Sequence, residues 1–124
     1  MRDFILGRIR SFRFAGRGLR SMVESETNAR LHALATLGVV AAGFSFGIDR
    51  GEWLAIILAI ALVWSAEAFN TAFESLCDVA SEDYHPQIER AKDVAAGAVL
   101  AASIGAFGVA LLVFGERVFD LLRS

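Results

Sequence analysis

The stretch WLAIILAIALVWSAEAFNTAFESLCD, Trp53 to Asp78, decides how the rest of the chain is read. It opens on an uncharged run, Trp53 to Ala66, and then meets Glu67, Asn70, Glu74 and Asp78. A hydrocarbon core ~30 Å thick needs ~20 largely apolar residues to cross it, and this segment supplies them with Glu67 as its one charge up to Phe73. A charged side chain within a span costs several kcal/mol and faces a protein interior, a partner or a water-filled cleft. The carboxylates therefore mark a site.

Helical geometry puts the four polar residues together. At ~100° per residue, Asn70 lies about 60° to one side of Glu67, while Glu74 and Asp78 lie about 20° to either side of it. They form a ladder ~16 Å long. Measured from Trp53, Glu67 lies ~21 Å along the crossing, inside the hydrocarbon near its cytoplasmic side, with Glu74 and Asp78 at or beyond the boundary. Such carboxylates can hold Mg²⁺, which prefers oxygen ligands and keeps places for substrate phosphates, or one of them can take a proton. Asp78, at the helix end, reads equally as a solvated charge.

Working outward, Leu31–Ile48 and Val94–Gly115 contain no Asp, Glu, Lys or Arg. The chain of 124 residues, 56% hydrophobic, is thus expected to be an all-α integral membrane protein. Residues 1–29 are expected to form an amphipathic surface helix, and residues ~31–48, ~53–77 and ~87–115 three membrane-crossing helices of one domain. In the first of these, Ile5, Ile9, Phe12, Leu19 and Val23 recur at steps of three and four beside Arg10, Arg13, Arg17 and Arg20, a stripe suited to anionic headgroups or nucleotide phosphates. Gly16 and Gly18 allow a bend. Seven arginines precede the first span, which places the N-terminus in the cytoplasm and, after three crossings, the C-terminus outside.

Two further polar clusters lie on the same face as the ladder. Glu24, Glu26 and Asn28 precede the first span, and Lys92-Asp93 opens the third, after a polar connection holding Asp83-Tyr84-His85-Pro86. Lys beside Asp at the mouth of a span suits phosphate contact. No G-x-x-x-x-G-K-[ST] loop is present, and His32 and His85 lie too far apart in sequence to suggest zinc. Cys77, the lone cysteine, reads as a small apolar packing residue. Gly97, Ala101 and Gly105 form a small-residue row suited to close helix approach, within one chain or between copies.

Glu67-Ala68-Phe69-Asn70-Thr71-Ala72-Phe73-Glu74 followed by Asp78 resembles the E-x-x-N-[ST]-A-[IF]-E-x-x-x-D signature of the prokaryotic diacylglycerol kinase and undecaprenol kinase family, small bacterial membrane lipid kinases. The likeness extends upstream through Phe12-Arg13-Phe14-Ala15 and Glu26-Thr27-Asn28-Ala29-Arg30-Leu31-His32, and downstream through Asp83–Pro86 and Ala91–Leu100. It implies a homotrimer in the bacterial inner membrane, with sites between subunits, that phosphorylates a lipid hydroxyl from ATP with Mg²⁺. Residue by residue, it places Glu67 as catalytic acid/base, supported by Asn70, and Glu26 and Glu74 as metal ligands. Glu26, Glu74, Asp83, Tyr84, His85, Lys92, Asp93 and Arg17 would contact nucleotide, with Asp78 and Asn28 in support. Asn28, Arg30, His32 and the Lys92–Leu100 run look more like the undecaprenol branch, with diacylglycerol the second choice.

Two rival readings remain open at this point. A small ion- or proton-coupled transporter subunit would use Glu67 as carrier, but its site belongs at the midplane between repeats, and no repeat is visible. A non-catalytic three-helix module would gain nothing from the cost of inserting the acidic ladder. No nucleic-acid partner is expected.

Overall fold

The computed structural model describes the chain from Met1 to Ser124, with every side chain except those of Arg2 and Asp3. Four helices follow in order: α1 Arg2–Ser25, α2 Thr27–Phe46, α3 Arg50–Ala80 and α4 Pro86–Arg123. No strand occurs among the described residues. The last three helices are long and apolar enough to cross a membrane.

The helix ends follow local chemistry and differ from the simple apolar boundaries. α1 is helical straight through Gly16 and Gly18. It stops at Ser25 because Glu26 takes an extended backbone (φ −103°, ψ 124°), a one-residue joint that also begins α2. Arg30 secures the joint from the other side. Its Nε donates to the Val23 carbonyl at 3.0 Å and its guanidinium also reaches the Glu24 carbonyl, a cation satisfying the orphan acceptors of a helix end. α2 ends at Phe46, short of Ile48, because Gly47 adopts the left-handed conformation (φ 61°, ψ 47°) and the Ile48 N–H turns back to the Gly43 carbonyl. Asp49 then caps α3 in a reciprocal box with Glu52. Pro86 opens α4 behind His85, whose Nδ1 accepts from the Gln87 N–H.

α3 and α4 pack as an antiparallel pair along their length, and α2 lies against α3. Ion pairs tie both ends of the α3–α4 pair. Arg117 donates to both carboxylate oxygens of Glu52 at 2.8 and 2.9 Å, and Lys92 Nζ lies 3.1 Å from Asp78 Oδ1. The two pairs are ~39 Å apart along α3, farther than the ~30 Å of a hydrocarbon layer, a spacing that lets both stay outside it. The buried cluster of Ile48, Ile56, Val113 and Phe114 occupies the Glu52 end. Towards the other end the helices are joined by polar contacts, and the site is built there. Most side chains on the three spans face outward, as expected where lipid is the solvent.

At the α2–α3 turn a Cβ on Gly43 would lie 2.7 and 2.8 Å from ring carbons of Trp53, itself tilted at 53° against Phe44 with centroids 4.9 Å apart. Gly43→Val is therefore expected to splay this hairpin and destabilise the fold by ~1–3 kcal/mol. A lowered temperature of aggregation in detergent, followed by size-exclusion retention, would check it; an unchanged value would show that Trp53 swings away freely.

Candidate active site

Glu67 is 2% exposed and is the single buried charged side chain among the described residues. The helical register of α3 turns it towards α2, where His32 Nε2 lies 3.8 Å from its Oε2. That separation exceeds a direct hydrogen bond. Glu67 Oε2 and Asn70 Oδ1 are buried acceptors without a hydrogen-bond partner, while Asn70 Nδ2 donates to Glu74 Oε1 at 3.3 Å. Glu26 and Glu74 are the other carboxylates close enough to act electrostatically on Glu67. Glu26 sits half-buried at the joint between α1 and α2, where Ser25 Oγ donates to its Oε1 at 3.4 Å.

This set fits a hard cation. All its donors are oxygens, two of the acceptors are orphaned, and negative charge is concentrated where little protein charge offsets it. Among the described residues no group of three His, Cys, Asp or Glu side chains forms a ready-made cage. Two carboxylates completed by phosphate oxygens and water are the usual arrangement for Mg²⁺.

The acidic ladder is divided. Glu67, Asn70 and Glu74 belong to the cluster facing α2, whereas Asp78 turns to α4 and is engaged by Lys92. Asp78 and Lys92 line a separate hollow of ≈ 360 Å³ at the α3–α4 connection, with Asp83, Tyr84, His85 and Asp93. Within it Tyr84 Oη donates to Glu89 Oε2 at 2.6 Å, a bond that raises the phenol above its usual range, with desolvation adding to the effect. Ser81 Oγ donates to the Asp83 carbonyl and accepts from the Asp83 N–H, shaping the turn. Cys77 is buried in its wall. Glu74 lies on α3 between the two clusters, one turn before Asp78.

Arg17 and Asn28 are not drawn into either group. Arg17 stacks over Phe14 of its own helix at 5.6 Å and lines neither hollow, and Asn28 is exposed in the first turn of α2. His32, which the sequence offers only through its likeness to the undecaprenol branch and not as a zinc ligand, lies against Glu67. The available signal was its position, as the lone titratable group in the otherwise charge-free Leu31–Ile48 segment.

A profile of the prokaryotic diacylglycerol kinase family matches residues 13–114. Undecaprenol kinase of Bacillus subtilis (strain 168) is 37% identical over 105 residues, covering 85% of each chain. Diacylglycerol kinase of Synechocystis sp. is 35% identical over 97 residues, which are 77% of this chain and 55% of that protein. Diacylglycerol kinase of Escherichia coli (strain K12) is 31% identical over 96 residues, 77% of this chain and 79% of that one.

Proposed function

We propose, from the premise that this chain belongs to the prokaryotic diacylglycerol kinase family, that it phosphorylates the hydroxyl of undecaprenol, using ATP and Mg²⁺ at the cytoplasmic face of the bacterial inner membrane. The observation that carries the reading is the buried Glu67 carboxylate, with an unpartnered oxygen, set inside a span and beside two further carboxylates. Neither a carrier nor a passive helical module has use for that arrangement together with the Lys92-bearing hollow about three turns further along α3.

In this reading the alcohol hydroxyl docks at Glu67. Its oxygen forms a bond to the γ-phosphorus, the bond to the β–γ bridging oxygen breaks, and the electron pair leaves with ADP. The hydroxyl proton passes to Glu67, which has oriented the alcohol. A carboxylate is a weak base for an alcohol, so positioning is the larger part of its work. Asn70 holds Glu74 in place through its amide. Glu26 and Glu74 would hold Mg²⁺, which when bound would offset charge on the phosphate oxygens. Lys92 and Asp93, with Asp83, Tyr84 and His85, receive the nucleotide in the α3–α4 hollow, and Asp78 holds Lys92. The N-terminus is cytoplasmic and the C-terminus outside, and three copies assemble with sites at their interfaces.

Undecaprenol is favoured over diacylglycerol because the undecaprenol kinase relative is more identical, and matches over more of both chains, than the diacylglycerol kinases above. Phosphate transfer from labelled ATP to both alcohols, presented side by side in mixed micelles, tests the choice. The expected result is a kcat/KM at least about tenfold higher for undecaprenol, a preference equivalent to ~1.4 kcal/mol in transition-state binding. The reverse preference would make the acceptor diacylglycerol, and no transfer to either would end the kinase reading.

A further inference from the structure

We infer that Glu89 is a positioning residue for the nucleotide: its carboxylate fixes the Tyr84 side chain in the wall of the α3–α4 hollow before ATP arrives. The inference rests on the reading that this hollow receives nucleotide, and it assigns a residue that the reading leaves without a role. Tyr84 and Glu89 both line the hollow, and Tyr84 Oη donates to Glu89 Oε2 at 2.6 Å. The residues on either side of Tyr84 are held by other means. Ser81 Oγ makes two hydrogen bonds to the Asp83 backbone, and His85 caps α4 through its Nδ1. Tyr84 itself is 76% exposed, so packing restrains its ring little. Among the described residues its hydroxyl bonds to Glu89 alone. That bond sets where the ring lies.

The contact has two effects on an incoming nucleotide, and they are opposite in sign. The phenol proton is committed to Glu89, so Tyr84 offers the ligand its ring and not a donor to phosphate. An exposed aromatic side chain that a ligand must order loses rotamer freedom, and one ordered beforehand spares that cost. Through Tyr84, Glu89 therefore favours binding. Its charge acts the other way. Five carboxylates line the hollow, those of Asp78, Glu82, Asp83, Glu89 and Asp93, and Lys92 is already engaged by Asp78. Each uncompensated acid there repels a polyphosphate. Loss of the Glu89 charge alone should tighten ATP binding, whereas loss of its acceptor oxygen should weaken it. Glutamine and alanine separate the two. Both remove the charge from the first turn of α4, with the same loss of its interaction with the helix end, but glutamine keeps a carbonyl oxygen for the Tyr84 hydroxyl.

The test measures phosphate transfer by the whole chain in mixed micelles at saturating Mg²⁺, with ATP and undecaprenol varied separately. We expect Glu89→Ala to raise KM for ATP roughly three- to tenfold, with KM for undecaprenol changed by less than about twofold. Glu89→Gln should keep KM for ATP at or below about twice the wild-type value. Tyr84→Phe keeps the ring and cuts the tether, so it should match Glu89→Ala, and the double variant should be no worse than either by more than about twofold. Should Glu89→Ala fail to assemble, Tyr84→Phe against Glu89→Gln decides by the same criterion. An unchanged or lowered KM for ATP in Glu89→Ala would leave Glu89 as a mere surface charge. A glutamine variant as impaired as alanine, additive losses in the double variant, or an equal rise in KM for undecaprenol would each also overturn the positioning role. If the wild-type chain transferred phosphate from ATP to no lipid alcohol, the kinase reading itself would fall, a result separable from the rest.

Discussion

Glu67→Gln is expected to lower kcat for phosphate transfer by roughly 10²–10⁴-fold, the range lost with a positioned acid/base group, and to leave the protein at least as stable to heat as the wild type. The two halves of this expectation have one cause. Glu67 is 2% exposed, and one of its oxygens has no partner. Keeping a carboxylate there costs stability, and an amide of nearly the same shape removes the charge without opening a cavity. A residue retained for packing would behave in the opposite way, since its loss would lower stability and activity together. Single-turnover transfer from labelled ATP gives the first half, and retention of the oligomer on heating in detergent gives the second. Activity within about tenfold of wild type would remove Glu67 from the chemistry. A large fall in stability would instead assign it a structural bond, with His32 as the partner.

Much of this arrangement is legible along the chain because lipid imposes a simple rule. A span must stay apolar for ~20 residues, so Leu31–Ile48 and Val94–Gly115 stand out, and Glu67 stands out against the same background. The period of α3 also puts Asn70 and Glu74 beside Glu67. It fails at Asp78. A rotation of only about 40° separates Asp78 from Glu74, yet Asp78 pairs with Lys92 of α4 while Glu74 accepts from Asn70 of its own helix. No single-helix pattern contains that information. The same holds for Glu52 and Arg117, which are 65 residues apart in sequence, and for His32, which becomes a neighbour of Glu67 only through the register of α2 on α3. The joint at Glu26 lies in a stretch with helical composition on both sides. Its break depends on Arg30 reaching back to two carbonyls, a tertiary contact that leaves no periodic signal.

Glu26→Gln and Glu74→Gln should each raise the Mg²⁺ concentration for half-maximal transfer by roughly 10–100-fold, and excess EDTA should abolish transfer by the wild type. Glu26 comes from the α1–α2 joint and Glu74 from α3, and both bear on Glu67, so neither can stand in for the other. With only two protein carboxylates available, removing one leaves a metal held mainly by water and nucleotide, and its affinity falls accordingly. The effects should differ in kind. Glu74 also accepts from Asn70 Nδ2, so Glu74→Gln loosens Asn70 and lowers kcat even at saturating Mg²⁺. Glu26 has no such link to Asn70, and its variant should recover most of its rate when Mg²⁺ is raised. A Mg²⁺ titration of initial rates at saturating undecaprenol distinguishes the two. If both midpoints stayed at the wild-type value, the metal would have to be placed elsewhere, with the Asp78, Asp83 and Asp93 carboxylates of the α3–α4 hollow the next set to mutate.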